Sequence, residues 1–292
     1  MSKLLIIILI ISIIGNFIGL FILYKYFGVK RYIENVKNDY SKHLEKLTDI
    51  LDNKYPKKMV FLHHSVGSGI LYEGGLQDSL LEMNILVKSS TYGSEIGEHT
   101  DMCYWLPKFQ NDMDKIIKFK SHPNKYYTDG SSNDIVMFKS CFPNSFIAGE
   151  GHEPGNPLSN ERTIANYKAV FNQLRNEIAK NNDKLFIYLT APPLVSDGKS
   201  FQEANRAREF NNWLINDFLP DYKKSTGFDN FAIFDLFNAL AGSDNFLKAE
   251  YCVNRKGDSH PNTKANKEVA AKFMQFFRPV WGKWQNRDEA HQ

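Results

Sequence analysis

The sequence predicts an α/β fold, a three-layer sandwich in which a parallel five-stranded sheet lies between two layers of helices. Five short and almost uninterrupted apolar runs are separated by segments of helical periodicity. Strands buried on both faces have this continuous apolar pattern, and their alternation with helices is typical of a parallel sheet. A transmembrane helix at the N-terminus is expected to precede this domain.

The first residues differ in composition from everything that follows. Residues 4–24 contain no charged side chain, and roughly 20 apolar residues suffice for a helix to cross a membrane. We therefore predict a transmembrane anchor in residues 1–28, with the lipid bilayer as partner through residues 4–24. The alternative is a cleaved signal peptide, but the apolar stretch is too long for one and no small-x-small cleavage site follows it before Lys25.

The charges around this stretch favour neither orientation, since Lys3 precedes it and Lys25 and Lys30 follow it. A short tail before a single span is the usual signal-anchor arrangement, so we expect a single-pass membrane protein whose main domain is extracytoplasmic. Residues 29–56 are charged, with apolar positions three and four apart, which predicts a helical stalk. The same spacing is compatible with a short coiled coil, and hence with a homodimer through the stalk.

The domain itself is predicted to span residues 57–292, because Pro56 ends the helical pattern. Its strands are apolar and bounded by Gly, Pro or polar residues. They are predicted at Met59–His63, Ile85–Ser89, Asp134–Lys139, Leu185–Leu189 and Phe231–Phe234. Helices, with apolar residues at helical spacing, are predicted at Leu76–Met83, towards the end of Trp105–Phe119, and at Arg162–Lys180, Phe201–Tyr222 and Lys264–Phe277.

Composition excludes several classes of function. Lys and Arg number 36 against 33 Asp and Glu, a net charge of +3, so there is no basic footprint for nucleic acid. Cys103, Cys141 and Cys252 are too few and too scattered for a disulfide scaffold or a zinc site. Outside the cytoplasm two of them could pair, and the sequence does not decide which. We expect no metal and no cofactor.

Residues able to carry chemistry stand at the ends of the predicted elements. Ser65 follows the first strand, where a side chain faces the crevice in which open α/β sheets bind ligands. A serine there acts as a nucleophile only if a base and an orienting acid reach it. Asp258 and His260, just before the last helix, supply that pair. The alternatives are that Ser65 caps a turn or helix and that Asp258 caps the final helix.

The order of these motifs resembles that of the SGNH (GDSL-like) hydrolase superfamily, from about residue 57 to the end of the chain. The segment His63–Val66 stands where the family has Gly-Asp-Ser-Leu, and Asp258–Pro261 stands where it has Asp-x-x-His-Pro. Gly93 follows the second strand, as an oxyanion glycine does in the family. Asn144 follows the third strand, in the place of the asparagine in the family's Gly-x-Asn-Asp motif.

The resemblance implies a role for each residue. Ser65 would be the nucleophile, His260 the base and then the acid, and Asp258 the group that orients the imidazole. The Ser65 amide, the Gly93 amide and the Asn144 side chain would bind the oxyanion. Alternatively, Gly93 only permits a left-handed turn and Asn144 is a turn residue.

The chain differs from the family pattern around these motifs. His63 and His64 replace the glycine and aspartate before the nucleophile, and Phe142 and Ser145 replace the glycine and aspartate around the asparagine. The acid Asp258 lies two residues before His260, where the family has a spacing of three. Adjacent strand residues point to opposite faces, so we expect one histidine to pack beneath the site and the other to line its rim, without a shared metal ion. The candidates for the pocket wall are His63, His64, Cys141, Phe142 and Ser145. The long loop of residues 141–159 is expected to shape the pocket.

Three functions from different classes remain open. The first is a membrane-anchored serine hydrolase of ester bonds, an esterase or deacetylase acting on O-acetylated surface glycans through an acyl-enzyme. The second is an O-acyltransferase, such as an O-acetyltransferase of an extracellular polysaccharide, which shares every catalytic residue and differs in how it excludes water. The third is a non-catalytic glycan-binding or assembly module, in which Ser65 and His260 do not converge.

Overall fold

The computed structural model describes residues 49–52, 54–55, 57–253 and 255–287. The chain divides into two compact units, Met1–Lys54 and Tyr55–Gln292. The predicted anchor and most of the predicted stalk lie outside the described residues, so both stay predictions. At the end of the stalk, residues 49–52 and 54 are helical. Within the described ranges, no helix combines the length and the apolar character needed to span a membrane.

Five strands of the second unit form one sheet in the order β2-β1-β5-β6-β7. Every neighbouring pair in this sheet is parallel, which confirms the predicted five-stranded parallel sheet. Two further strands form a small antiparallel hairpin that the sequence analysis does not predict. The strands are β1 (Lys57–Leu62), β2 (Ile85–Ser90), β3 (Phe119–Ser121), β4 (Lys125–Tyr126), β5 (Ile135–Lys139), β6 (Leu185–Leu189) and β7 (Phe231–Phe234).

The helices connect these strands, and two of them continue into π-helical turns. The helices are α1 (Ser65–Ser68, continuing through Gly69–Glu73), α2 (Leu76–Leu81), α3 (Met102–Ile117), α4 (Ile164–Lys180), α5 (Phe201–Trp213, continuing through Leu214–Phe218), α6 (Leu219–Thr226), α7 (Leu236–Leu240) and α8 (Thr263–Gln285). Short 3-10 turns lie at Phe142–Ser145 and Ala249–Tyr251. The predicted helix Phe201–Tyr222 is thus α5 and α6 joined by a π-helical turn.

The sheet separates two hydrophobic cores. In β1, Val60 and Leu62 contribute to a core shared with α3, α4 and α5, whereas Met59 and Phe61 contribute to a second core shared with α1, α2 and α8. Neighbouring strand residues point to opposite faces of a sheet, so one apolar strand supplies both cores. The three predicted layers are therefore present, and the carboxyl ends of β1, β2 and β5 meet along one edge.

Candidate active site

Ser65 lies where the chain leaves this edge of the sheet. The amide of His63 still donates to the carbonyl of Ser90 at the end of β2, at 3.0 Å. Two residues later Ser65 begins α1, after His64 in an extended conformation. The abrupt change from strand to helix holds the serine hydroxyl at the mouth of the crevice, partly exposed to solvent.

The segment that carries Asp258 and His260 is fixed on both sides. Between them, the buried hydroxyl of Ser259 accepts a hydrogen bond from the amide of Val195, at 3.1 Å. After them, the side chain of Asn262 accepts from the amide of Ala265 at 3.0 Å and caps α8. The alternative assignment of Asp258 as the cap of the final helix is therefore wrong, since Asn262 occupies that position.

Ser65, His260 and Asp258 form one line of hydrogen bonds. The Ser65 hydroxyl lies 2.8 Å from Nε2 of His260, a residue 195 positions away in the sequence. Nδ1 of His260 lies 2.5 Å from Oδ1 of Asp258, which also accepts from the His260 amide at 3.0 Å. Because the carboxylate can only accept, Nδ1 carries the proton and Nε2 is left free to accept from the serine.

The surroundings keep Asp258 ionised. Hydrogen bonds from the backbone and side chain of His260 hold the pKa of the Asp258 carboxyl below its ordinary value, and the charge of Arg255, 3.5 Å away, acts in the same direction. The Asp258 side chain is 15% exposed and that of His260 is 39% exposed. The ring of Phe142 meets the imidazole edge-on at a centroid distance of 5.1 Å, and so limits its rotation. The arrangement can move a proton from Ser65 and return it to a leaving group.

A groove of about 670 Å³ opens directly on the serine and the histidine. Its wall is formed by α1 and its π-helical continuation, by the loop that carries Asp258, and by the start of α8. Besides the two reacting residues, its lining includes Tyr72, Glu73, Arg255 and Asn266. Tyr72 is exposed, whereas Asn266 is buried and donates to the Glu73 carboxylate at 3.1 Å.

His63 packs beneath the nucleophile, as expected for one of the two histidines. Its ring is fully buried, its Nδ1 donates to the His64 carbonyl at 2.9 Å, and its Nε2 accepts from the Ser89 hydroxyl at 2.8 Å. Burial lowers the pKa of His63 to about 4, and the nearby charge of Lys139 also lowers it, against the hydrogen bond to the His64 carbonyl. The ring is therefore neutral at pH 7.

His64 is buried rather than open to the groove. Its Nε2 donates to the carbonyl of Gly97 at 2.9 Å, and its Nδ1 accepts from the hydroxyl of Thr100 at 3.2 Å. The ring of Tyr92 covers it in a stacked arrangement, with centroids 3.8 Å apart and 24° between the planes. The expectation that the second histidine lines the rim is corrected in this respect: Tyr92, which the sequence analysis does not single out, occupies the exposed position.

The donor groups that the resemblance assigns to Gly93 and Asn144 are both engaged with other partners. The Gly93 amide donates to the carboxylate of Glu98 at 2.5 Å. The Asn144 amide donates to Oδ1 of Asp101 at 2.7 Å and to the Cys141 carbonyl at 3.1 Å. In this arrangement neither group is free for an oxyanion, and the role that the resemblance implies for them stays a prediction.

The remaining pocket candidates behave differently from one another. In the long loop, the ring of Phe142 contacts His260. Ser145 is buried instead, and its hydroxyl donates to the Ala191 carbonyl at 3.1 Å. The Cys141 thiol lies 3.4 Å from the Thr100 hydroxyl. Burial on its own would raise the pKa of Cys141, but the neighbouring His64 ring and the charge of Lys139 bring it below its ordinary value. All three cysteines are free thiols.

Comparison with known proteins gives likenesses of fold alone. No protein-family model matches the chain, and neither does any curated protein. Among solved structures, the chain is similar to a GDSL-like lipase from Bacteroides thetaiotaomicron, with 13% identity, a TM-score of 0.42, and 77% of this chain and 89% of that chain covered. It is also similar to a carbohydrate esterase family 2 enzyme with a carbohydrate-binding domain from Corynascus thermopiles (Myceliophthora fergusii), with 11% identity, a TM-score of 0.43 and coverages of 77% and 67%. At these TM-scores the functional argument rests on the site alone.

Proposed function

We propose that the chain is a serine esterase that works through an acyl-enzyme on Ser65. The observation that carries this proposal is the line of hydrogen bonds from the Ser65 hydroxyl through His260 to Asp258, at 2.8 and 2.5 Å. A serine at a strand end has many structural uses, but a structural serine does not require a histidine with a fixed tautomer behind it. Nucleophile, base and orienting acid together are the arrangement that activates a hydroxyl group.

The reaction follows from these contacts. As the Ser65 oxygen attacks the carbonyl carbon of an ester, Nε2 of His260 takes the hydroxyl proton, and Asp258 stabilises the imidazolium that forms. His260 then gives the proton to the departing alcohol, which leaves the acyl group on Ser65. A water molecule, activated by His260 in the same way, releases the acid and restores the serine.

The groove supports a short acyl group on a polar carrier. A long acyl chain needs a continuous apolar wall, whereas Val66, Val253 and Pro261 are the aliphatic side chains among the described lining residues. Apart from Gly69 and the imidazole of His260, the other lining residues offer hydroxyl, amide, carboxylate and guanidinium groups. The exposed ring of Tyr72 suits stacking against a sugar. We therefore propose O-acetylated glycans as the substrate class.

The membrane anchor completes the proposal. An uncharged stretch in residues 4–24 would keep the enzyme at the surface where such glycans lie, with the domain outside the cytoplasm. The full chain should stay with membranes through alkaline carbonate washing, and a chain without residues 1–28 should not. Release of the full chain by the wash would contradict anchoring.

The test of the enzymatic proposal is acetate release. The full chain, purified in detergent micelles, is incubated with an acetylated oligosaccharide. Its Ser65→Ala and His260→Ala variants are assayed in parallel, and the matched control is Ser243→Ala, which changes an exposed loop serine. We expect acetate from the wild type and the control, and none above background from the two active-site variants. Transfer of acetyl to an added sugar acceptor, in place of release to water, would instead identify an O-acyltransferase. The non-catalytic alternative required Ser65 and His260 to lie apart, and their 2.8 Å contact counts against it; absence of both activities from folded protein would contradict the enzymatic proposal.

A further inference from the structure

The helix that begins at Ser65 changes its winding before it ends. The segment Gly69–Glu73 is π-helical, and the hydrogen bond that closes it spans five residues at 2.9 Å. A π-helical turn holds more residues than an α-helical turn and is frequently found at functional sites. Tyr72 and Glu73 are the last two residues of this turn, and both are exposed in the groove that contains the reacting serine and histidine.

The carboxylate of Glu73 is held through one of its two oxygens. Oε2 accepts from the side-chain amide of Asn266 at 3.1 Å and from the hydroxyl of Thr263 at 3.3 Å. Oε1 has no hydrogen bond to any residue that the structure describes. Since an ionised carboxylate accepts through both oxygens, Glu73 offers the groove an acceptor whose position is already fixed.

The packing around Asn266 fixes that position. Asn266 is buried, and a Cβ atom at Gly69 would lie 2.7 Å from its Nδ2, while one at Gly74 would lie 2.5 Å from its backbone carbonyl oxygen. Glycines at the start of the π-helical turn and just beyond its end therefore let the turn lie against α8. Within the described ranges, Oδ1 of Asn266 has no partner. A buried unsatisfied acceptor lowers stability, so packing alone does not account for an amide here, whereas its bond to Glu73 does.

We propose that Glu73 selects the sugar: its carboxylate accepts hydrogen bonds from free hydroxyl groups of a neutral ring that carries the ester. The inference rests on the proposed esterase function and names a specificity-determining residue for it. A hydrogen bond to an ionised acceptor is stronger than one between neutral groups. The adjacent ring of Tyr72, 57% exposed, offers an apolar face to the same sugar. An acidic sugar would bring a second negative charge close to Glu73, and the two would repel.

The experiment measures kcat/KM of the full chain on two esters, in a detergent without a sugar head group. One ester is a neutral methyl glycoside with a single acetyl group and its other hydroxyls free, and the second is the same compound with those hydroxyls methylated. In Glu73→Gln, the two donors at Oε2 hold the glutamine carbonyl oxygen, so an NH2 group replaces the acceptor in the groove. Glu82→Gln, at an exposed glutamate outside the groove lining, is the matched control.

The quantity compared is the preference for the free glycoside, which is the ratio of the two kcat/KM values. Loss of a hydrogen bond to a charged group corresponds to about a tenfold to hundredfold change in affinity. We expect the preference to fall by a factor of this order in Glu73→Gln, through KM, and to stay at the wild-type value in Glu82→Gln. Comparing the two ratios between proteins removes the steric effect of the methyl groups, which all of them share.

Binding without turnover gives a second reading. In Ser65→Ala protein, the affinity for the free glycoside, measured by titration calorimetry, should fall by a similar factor when Glu73→Gln is added. An unchanged preference in Glu73→Gln would overturn the inference and leave the esterase intact, as would a wild type that hydrolyses an activated acetyl ester but neither glycoside. A folded wild type that hydrolyses none of the three esters would remove the proposed esterase function and this inference with it.

Discussion

The buried ring of His63 makes the folded state sensitive to mild acid. Its pKa is about 4 in the folded protein and about 6.5 in an unfolded chain. Between these two pH values the unfolded chain binds a proton that the folded protein does not bind. The free energy of unfolding therefore falls as the pH drops from 6.5 to 4. Above pH 6.5 the contribution of the neutral His63 ring is fully present.

The size of the effect follows from the two pKa values. Their difference, about 2.5, corresponds to about 3 kcal/mol, which is a large share of the total stability of an ordinary domain. The cause is the loss of hydration for a charged imidazolium beneath Ser65, where the ring already donates to the His64 carbonyl and accepts from Ser89. A protonated ring would present a second N–H to Ser89, whose hydroxyl could then no longer donate to it.

The assay is urea unfolding of the full chain between pH 4.5 and 7, followed by tryptophan fluorescence. His63→Asn keeps a polar group in place but cannot titrate, so this variant is expected to be less stable at pH 7 and to lose less stability on acidification. The wild type should take up about one more proton on unfolding near pH 5 than the variant. His152→Asn, at an exposed histidine of the loop, is the control and should follow the wild type. Parallel pH profiles for wild type and His63→Asn would refute the reasoning.

Two further substitutions test the packing around the nucleophile. Gly67→Ala would place a Cβ atom 2.4 Å from Cβ of His63, and such overpacking should lower the free energy of unfolding by about 1–3 kcal/mol. The control is Gly282→Ala in α8, where no neighbouring atom lies within 4 Å of the new Cβ, and it should not destabilise the protein. A stable Gly67→Ala protein would contradict the packing. Asn144→Ala would leave the buried amide of Met102, now bonded to the Asn144 side chain at 2.8 Å, without its partner, at a cost of about 1–3 kcal/mol. Undiminished stability with a hundredfold lower kcat would instead show that Asn144 acts on the oxyanion, as the resemblance implies.

Much of the fold could be predicted because the apolar pattern that defines each strand and helix is contained within that short segment of the sequence. The strand at Leu185–Leu189 is apolar at every position, and its predicted bounds agree with those of β6. The hairpin of Phe119–Ser121 and Lys125–Tyr126 was not predicted, since strands of three and two residues carry no periodic signal. The π-helical turns were not predicted either, because apolar spacing does not distinguish them from an α-helix.

The residues of the candidate site could likewise be predicted only where they lie beside a predicted strand or helix. The order of Ser65, Asp258 and His260 in the chain, each beside a predicted element, together with the family resemblance, indicated that the three residues converge. The partners of Gly93 could not be predicted, because its contact with Glu98 depends on the path of the loop between β2 and α3. For the same reason nothing in the sequence indicated that Tyr92 would cover His64.

The central claim is that Ser65 is an activated nucleophile, and covalent labelling tests it most directly. The full chain in detergent micelles is treated with a fluorophosphonate, and the adduct is located by mass spectrometry of peptides. The Ser65→Ala and His260→Ala variants are treated in the same way, after their folding has been verified. We predict a single adduct on Ser65 in the wild type and none in either variant. A folded wild type without an adduct, or one whose Ser65 reacts equally well without His260, would contradict the account.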